Sequence, residues 1–344
     1  MELDARKLKI LQAIIDDYIL TAAPVGSRTI SKRSDINLSS ATIRNEMSDL
    51  EELGFLDQPH TSAGRIPSEK AYRLYVNSIM RHAHLTNDEI SHIKSHFTKR
   101  LDEVEAVMKQ TAYALSDVTR YTSMVLAPGF SSARLKHLQL VPVAEGKALA
   151  VIVTDAGLFK DTLIRIPDNI GPAELEQLSR VLTMRLKNRR LDEAGKLMTT
   201  DLMGDFREHR IFLNAITDVL TKSIKPSERS LELSGATNIL NYPEYSDMDK
   251  AKGFFTALES RDLLYRMLAN AVKMEFTITI GSENEDVNMR DCSVVTVSYK
   301  LGDEPLGSLG VIGPTRMNYA KTLAILNYFG KSISEIITDL IEED

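Results

Sequence analysis

The sequence predicts an α+β multidomain chain, and three observations carry that reading. Apolar residues recur at helical spacing between Leu8 and Ile79. Three strand-like runs separated by turn residues lie between Leu138 and Ile166. Alternating strands between Met274 and Ile312 precede a last amphipathic helix. At 344 residues the chain exceeds the usual size of one domain, so two or three compact units are expected.

The N-terminal elements come first. Leu8, Leu11, Ile15 and Tyr18 predict a helix from about Asp4 to Leu20, ended by Pro24, Val25 and Gly26. Ser27 reads as the N-cap of a short second helix through Arg33, and Asp35 to Leu38 as the following turn. Ser39 or Ser40 then caps a third helix. Ile43, Met47 and Leu50 share its inner face, leaving Thr42, Arg44, Asn45 and Ser48 toward solvent. Gly54 stops it. Phe55 to Gln58 and Thr61 to Ile66 read as a short hairpin with a polar tip carrying Arg65. Pro67 and Ser68 open a fourth helix with Tyr72, Tyr75, Val76 and Ile79 as its buried stripe. Helix, helix, helix, hairpin, helix is the order of a winged helix-turn-helix, complete by about Ala83.

Charge sharpens that expectation. The formal net charge of -6 argues against nucleic acid as an average. Yet between Pro24 and Asn45 the basic residues Arg28, Lys32, Arg33 and Arg44 are opposed only by Asp35, and Glu46, Asp49, Glu51 and Glu52 follow. The start of the third helix should therefore face a duplex. Free N–H groups there favour phosphate, Arg forks onto guanine, and Asn pairs with adenine. The same pattern also fits a protein-docking module.

Further on, Thr86 to Glu89 forms a capping-box pattern, and Ile90, Ile93, Phe97, Leu101, Val104, Met108 and Leu115 continue a long connecting helix, broken at most once. The runs Leu138 to Val143, Ala148 to Thr154 and Leu158 to Ile166 predict an antiparallel meander. Helical patterns follow at Leu175, Leu178 and Leu182, then at Phe212, Ile216, Val219 and Leu220. Near the C-terminus, strands at Met274 to Ile280, Val294 to Tyr299 and Leu309 to Ile312 precede a helix bearing Leu323, Leu326, Ile333, Ile336, Ile337 and Leu340. Gly302-Asp303-Glu304 joins the last two strands. This order looks like a GAF-type sensory domain, completed by the segment before an insertion.

No catalytic constellation emerges. His92 and His96 lie one helical turn apart, with His82 and His84 nearby, but no carboxylate or thiol in sequence completes a metal set, so no metal and no cofactor are expected. Gly302 to Gly307 and Gly310 to Gly313 lack the lysine of a phosphate loop and read as turns around strands. The run Arg185, Lys187, Arg189, Arg190 reads as a solvated helix end. The single cysteine, Cys292, excludes an intramolecular disulfide and packs as a small apolar residue. No run approaches the ~18 uninterrupted apolar residues of a membrane span, and the N-terminus with Glu2, Asp4, Arg6 and Lys7 lacks a signal peptide's apolar stretch. A cytoplasmic, non-enzymatic protein with no membrane partner is expected.

Three dense blocks add a resemblance. Pro24-Val25-Gly26-Ser27, Leu38 through Met47, and Gln58 through Pro67 closely resemble the HrcA family of heat-inducible transcription repressors. The match is densest over Leu8 to Val76, about a fifth of the chain, and Ala71 departs from the glycine expected before Tyr72-Arg73. The resemblance implies a homodimeric repressor of chaperone operons, bound to an inverted-repeat operator in double-stranded DNA, released on heat stress and kept active by the chaperonin. It also implies that the central block is a dimerising insertion. The expected division is a winged helix-turn-helix DNA-binding domain at 1–83; a connecting helix and the first part of a GAF-like α/β domain at 84–130; an inserted antiparallel-sheet-plus-helices dimerisation domain at 131–225; and the remainder of the GAF-like domain at 226–344. Arg44 and Asn45 are expected at base edges, Ser39, Ser40 and Thr42 at phosphates, His60 and Arg65 on the wing, and Arg28 within the same contact. A metabolite-responsive GAF-type regulator and a protein-interaction scaffold are the competing readings.

Overall fold

The computed structural model describes residues 3–60, 64–80, 83–97, 103–128, 134–155, 159–167, 170–198, 213–218, 220, 231–272, 274–302 and 304–342. The hairpin tip at 61–63, and His82, Leu101, Leu158, Phe212, Val219 and Asp303 from the expectations above, lie outside these residues.

Four helices and a hairpin open the chain. Helix α1 (Ala5–Thr21) is capped by the Asp4 carboxylate, which accepts from Lys7 N at 2.8 Å, and buries Ile10, Leu11, Ile14 and Ile15. It stops at Ala22, in the left-handed region at φ 54°, two residues before Pro24. Helix α2 (Ser27–Ser31) begins one residue earlier than expected: Gly26 is its N-cap and Ser27 already lies in the helix. Helix α3 (Ser40–Glu52) is capped by Ser39, and α4 (Glu69–Leu74) by Ser68. Strands β1 (Leu56–Asp57) and β2 (Ile66–Pro67) pair antiparallel between them. Beyond Leu74 the helix widens into a π turn, Tyr75–Ile79.

Two sheets follow. Helices α5 (Asn87–Ser95) and α6 (Val104–Thr119) precede β3 (Thr122–Leu126). The meander is β4 (Leu135–Ala144), β5 (Lys147–Thr154) and β6 (Phe159–Arg165), backed by α7 (Pro172–Leu186) and α8 (Leu191–Leu197). Ser179 and Thr183, one turn apart on α7, accept from the backbone N–H groups of Leu140 and Leu138 at 2.9 and 3.0 Å, so the helix covers an edge strand that would otherwise present unpaired donors. The chain then returns through β7 (Leu231–Ser234), α9 (Met248–Glu259), α10 (Arg261–Ala271), β8 (Phe276–Ile280), β9 (Cys292–Leu301), β10 (Glu304–Pro314) and α11 (Tyr319–Glu342).

The second sheet is antiparallel with strand order β7-β3-β10-β9-β8, so the meander leaves the chain between two hydrogen-bonded neighbours, β3 and β7. Side chains alternate across this sheet and divide two cores. Val125, Val295, Val297, Leu309 and Val311 pack with α6, α11 and the N-terminal helices, whereas Met124, Leu126, Val294 and Ile312 pack with α9 and α10. The meander and its helices hold a third core built on Leu138, Leu140, Ile152, Leu175 and Leu182. Helices α9 and α10 had no counterpart in the sequence expectation, and α6 lies on the sheet rather than serving only as a connector.

Candidate nucleic-acid interface

The five residues expected on the third helix fall within its cap and first two turns. Ser39 Oγ accepts from Thr42 N at 3.1 Å and lies 2.9 Å from Thr42 Oγ1, so the two hydroxyls organise the helix start together. The N–H groups of Ser40 and Ala41, by helix geometry, have no intrahelical acceptor. Ile43, Met47 and Leu50 are buried. Arg44, Asn45 and Ser48 are exposed and Thr42 is half-buried. Among the described residues Arg44 makes no ion pair, and Arg28 on α2 is likewise exposed.

Two acidic residues of α3, Glu46 and Asp49, are paired with cations of α1. Glu46 is only 8% exposed, and Lys7 Nζ approaches its carboxylate at 2.8 Å and that of Asp49 at 2.9 Å, with Arg6 at 3.4 Å from Glu46. Hydrogen bonds that the Lys7 ammonium donates to the carboxylates of Glu46 and Asp49 hold its pKa above the ordinary value. The sequence reading placed Glu46 with the residues phosphate would repel. Folding turns it inward instead, because one helical step separates it from Asn45 and brings it beside α1.

The hairpin residues divide. His60 is exposed. Arg65 is turned back: its Nε and a terminal nitrogen reach Glu51 at 2.8 and 2.7 Å, and its backbone exchanges hydrogen bonds with Val25 at 2.8 and 2.9 Å. Gly64 permits this approach, since a Cβ there would stand 2.4 Å from the Val25 carbonyl oxygen. Arg33 is also turned inward, to Asp35 at 3.3 Å and the Ala13 carbonyl at 3.4 Å. Of the basic side chains between Pro24 and Asn45, Arg28, Lys32 and Arg44 are exposed and make no ion pair among the described residues. No sequence signal distinguished Arg65 from them.

Elsewhere, Cys292 is buried beside the Tyr245 hydroxyl at 3.1 Å, and burial pushes its thiol up to about 12, which removes the thiolate a nucleophile needs. Asp117 on α6 reaches His92 and His96, correcting the expectation that no carboxylate joins that pair. Among the described residues no helix is long and apolar enough to cross a membrane.

Three helices followed by a hairpin, with Arg44 and Asn45 exposed at the start of the third, are an arrangement that a regulator of transcription can use. The comparisons agree. The HrcA protein C terminal domain family matches residues 105–323. Over 350 residues the chain is 44% identical to the heat-inducible transcription repressor HrcA of Acetivibrio thermocellus, covering 100% of this chain and 99% of that one. It is 43% identical to the repressor of Ruminiclostridium cellulolyticum, with 99% of each chain covered, and 42% identical to that of Brevibacillus brevis, with 99% and 100% covered. The chain belongs to the HrcA family of heat-inducible transcription repressors. Such a repressor acts on DNA and is a regulator rather than an enzyme. A crystal structure of a hypothetical protein shares the fold, with a TM-score of 0.63 at 23% identity over 98% of this chain and 100% of that one.

Proposed function

We propose that residues 1–83 form a winged helix-turn-helix that reads an inverted-repeat operator of chaperone genes, one recognition helix per arm of a homodimer. The observation that carries this reading is the exposed start of α3, where Arg44, Asn45 and Ser48 face solvent while Lys7 neutralises Glu46 and Asp49 behind them. Arg44 and Asn45 contact base edges. The Ser39, Ser40 and Thr42 segment holds phosphate through its N–H groups and hydroxyls, Arg28 adds a second phosphate contact, and His60 and Arg65 place the wing.

The dimer forms through the insertion, residues 131–225. The outer face of its sheet supports this: Val141 and Leu163 flank Leu149 in register and are 41% and 55% exposed, and Phe159, paired with Val153, is 71% exposed. Val151 lies between these two apolar rows with Gln139 and Asp161 on either side, so the face mixes apolar and polar side chains in the way a separable symmetric interface does. The five-stranded sheet with helices on both faces, residues 84–130 and 226–344, is the GAF-like domain. Heat releases the repressor and the chaperonin restores its active form in the cytoplasm, a reading that rests on the family.

Fluorescence anisotropy with a labelled inverted-repeat duplex and a shuffled control, over a salt series with and without chaperonin, tests the proposal. Preference for the repeat with a steep salt slope is the expected result. Equal affinity for both duplexes by folded dimer would assign the helix-turn-helix to a protein partner instead.

A further inference from the structure

We infer that His92, His96 and Asp117 form a binding site for a zinc-class divalent cation, which fastens the helix following the DNA-binding head to the sheet-covering helix α6. His92 sits in the last turn of α5 and His96 is its C-cap, still in helical conformation, so both imidazoles leave the same face four residues apart. Asp117 comes from the last turn of α6. Its Oδ2 lies 3.3 Å from His92 Nε2 and 3.3 Å from His96 Nε2, and all three candidate ligand atoms fall within 4.8 Å of one another. Zinc bonds of about 2.0–2.1 Å in a tetrahedron put neighbouring ligand atoms about 3.3 Å apart. The two imidazole–carboxylate distances already have that length.

The surroundings favour an ion over a plain hydrogen-bonded cluster. His96 Nε2 is buried and has no hydrogen-bond partner, although the carboxylate is near: the direction of approach is wrong for donation. A cation between the three groups would satisfy that nitrogen. The other carboxylate oxygen, Oδ1, accepts from Arg120 at 2.9 Å, which orients Asp117 and leaves Oδ2 for the histidines. Gln110 donates to the His96 carbonyl at 2.9 Å, tying α5 to α6 beside the site, and the Tyr113 ring stands edge-on to His96 at 5.9 Å. Access is open on one side. His92 is about half exposed and lines a surface cleft with Glu89, Tyr121, Asn318 and Lys321, which leaves room for a water as fourth ligand. Neutral imidazole, carboxylate and water suit Zn²⁺, Co²⁺ or Ni²⁺.

The test uses full-length protein free of any affinity tag, stripped with chelator and titrated with Co²⁺ while visible absorption and thermal unfolding are followed. The expected result is one equivalent bound, an absorption band of four-coordinate intensity, and a melting temperature that rises with cobalt concentration. His92→Gln, at an exposed position, and Asp117→Asn should each weaken binding at least tenfold while circular dichroism of the metal-free proteins stays unchanged. His84→Gln, outside the cluster, should bind as the parent does. Absence of saturable cobalt binding in the parent, or equal binding by His92→Gln, Asp117→Asn and the parent, overturns the assignment.

Discussion

Arg73 of α4 and Glu283 lie 210 residues apart in sequence and are joined by a hydrogen bond of 2.7 Å from the Arg73 Nε. A terminal nitrogen of the same guanidinium reaches the Ile278 carbonyl at 2.7 Å, and one turn earlier on α4 the Glu69 carboxylate accepts from Ser282 N at 3.1 Å. Gly281 makes room for that carboxylate: it sits at φ +55°, and a Cβ there would fall 1.9 Å from Glu69 Oε1. The N-terminal helices are thus locked onto the edge of the five-stranded sheet. Burial raises the Glu283 carboxyl pKa, but the hydrogen bonds from Arg73 and from Ile280 N outweigh it and hold the group below its ordinary value. A depressed carboxylate stabilises the fold above its unfolded pKa, and that contribution disappears as pH falls through the folded pKa. Glu283→Gln should therefore cost about 1 kcal/mol at neutral pH, limited by the exposure of both side chains, and the gap from the parent should close in acid. Chemical denaturation at neutral pH and below pH ~4 measures both.

Arg44→Ala should lose about 1 to 3 kcal/mol of operator affinity and relax specificity at one base pair per arm. Anisotropy against a panel of single-base operator variants reads this directly. Equal losses on every member of the panel would move Arg44 from the base edges to the backbone.

Glu51→Gln should release the Arg65 guanidinium from its ion pair and steepen the salt dependence of DNA binding by about one unit of slope. Arg65→Ala should weaken binding evenly across sequences. An unchanged slope in Glu51→Gln would mean that Arg65 only braces the hairpin against α3.

Lys7→Met should destabilise the N-terminal helices, because it leaves the largely buried Glu46 with only Arg6, at 3.4 Å, as a cation. Pairing it with Glu46→Met should recover most of the loss. A double-mutant cycle on thermal unfolding gives the coupling.

Leu163→Lys on the outer face of the meander should convert a dimer to monomer and lower operator affinity, while the single-site fold is retained. Light scattering on the purified variant, beside the parent at equal concentration, decides it.

Much of the N-terminal unit was legible from the chain alone. The Ser39 cap, the buried positions Ile43, Met47 and Leu50, and the exposed Arg44 and Asn45 follow from local spacing, since a helix sorts its faces by position. The three strands of the meander were visible through their turn residues, and β8 to β10 through alternation. Helices α9 and α10 went unread although both carry an apolar stripe at helical spacing, Ala251, Phe254, Ala257 and Leu258 on one and Leu263, Leu264, Leu268 and Ala271 on the other.

By itself, then, the order of residues determined the first three helices and the hairpin, the meander, three of the five strands of the larger sheet and, through three motif blocks, the family; β3 and β7 emerged only with the fold. Tertiary structure alone decided which charges are free. Arg65 and Arg44 are the same residue type twenty-one positions apart, yet one forks onto Glu51 and the other faces solvent. Asp117 meets His92 and His96 only because α6 lies alongside α5. Periodicity records how a side chain points from its own helix, whereas an ion pair depends on where a second element comes to rest, and that is set by the packing of the shared core.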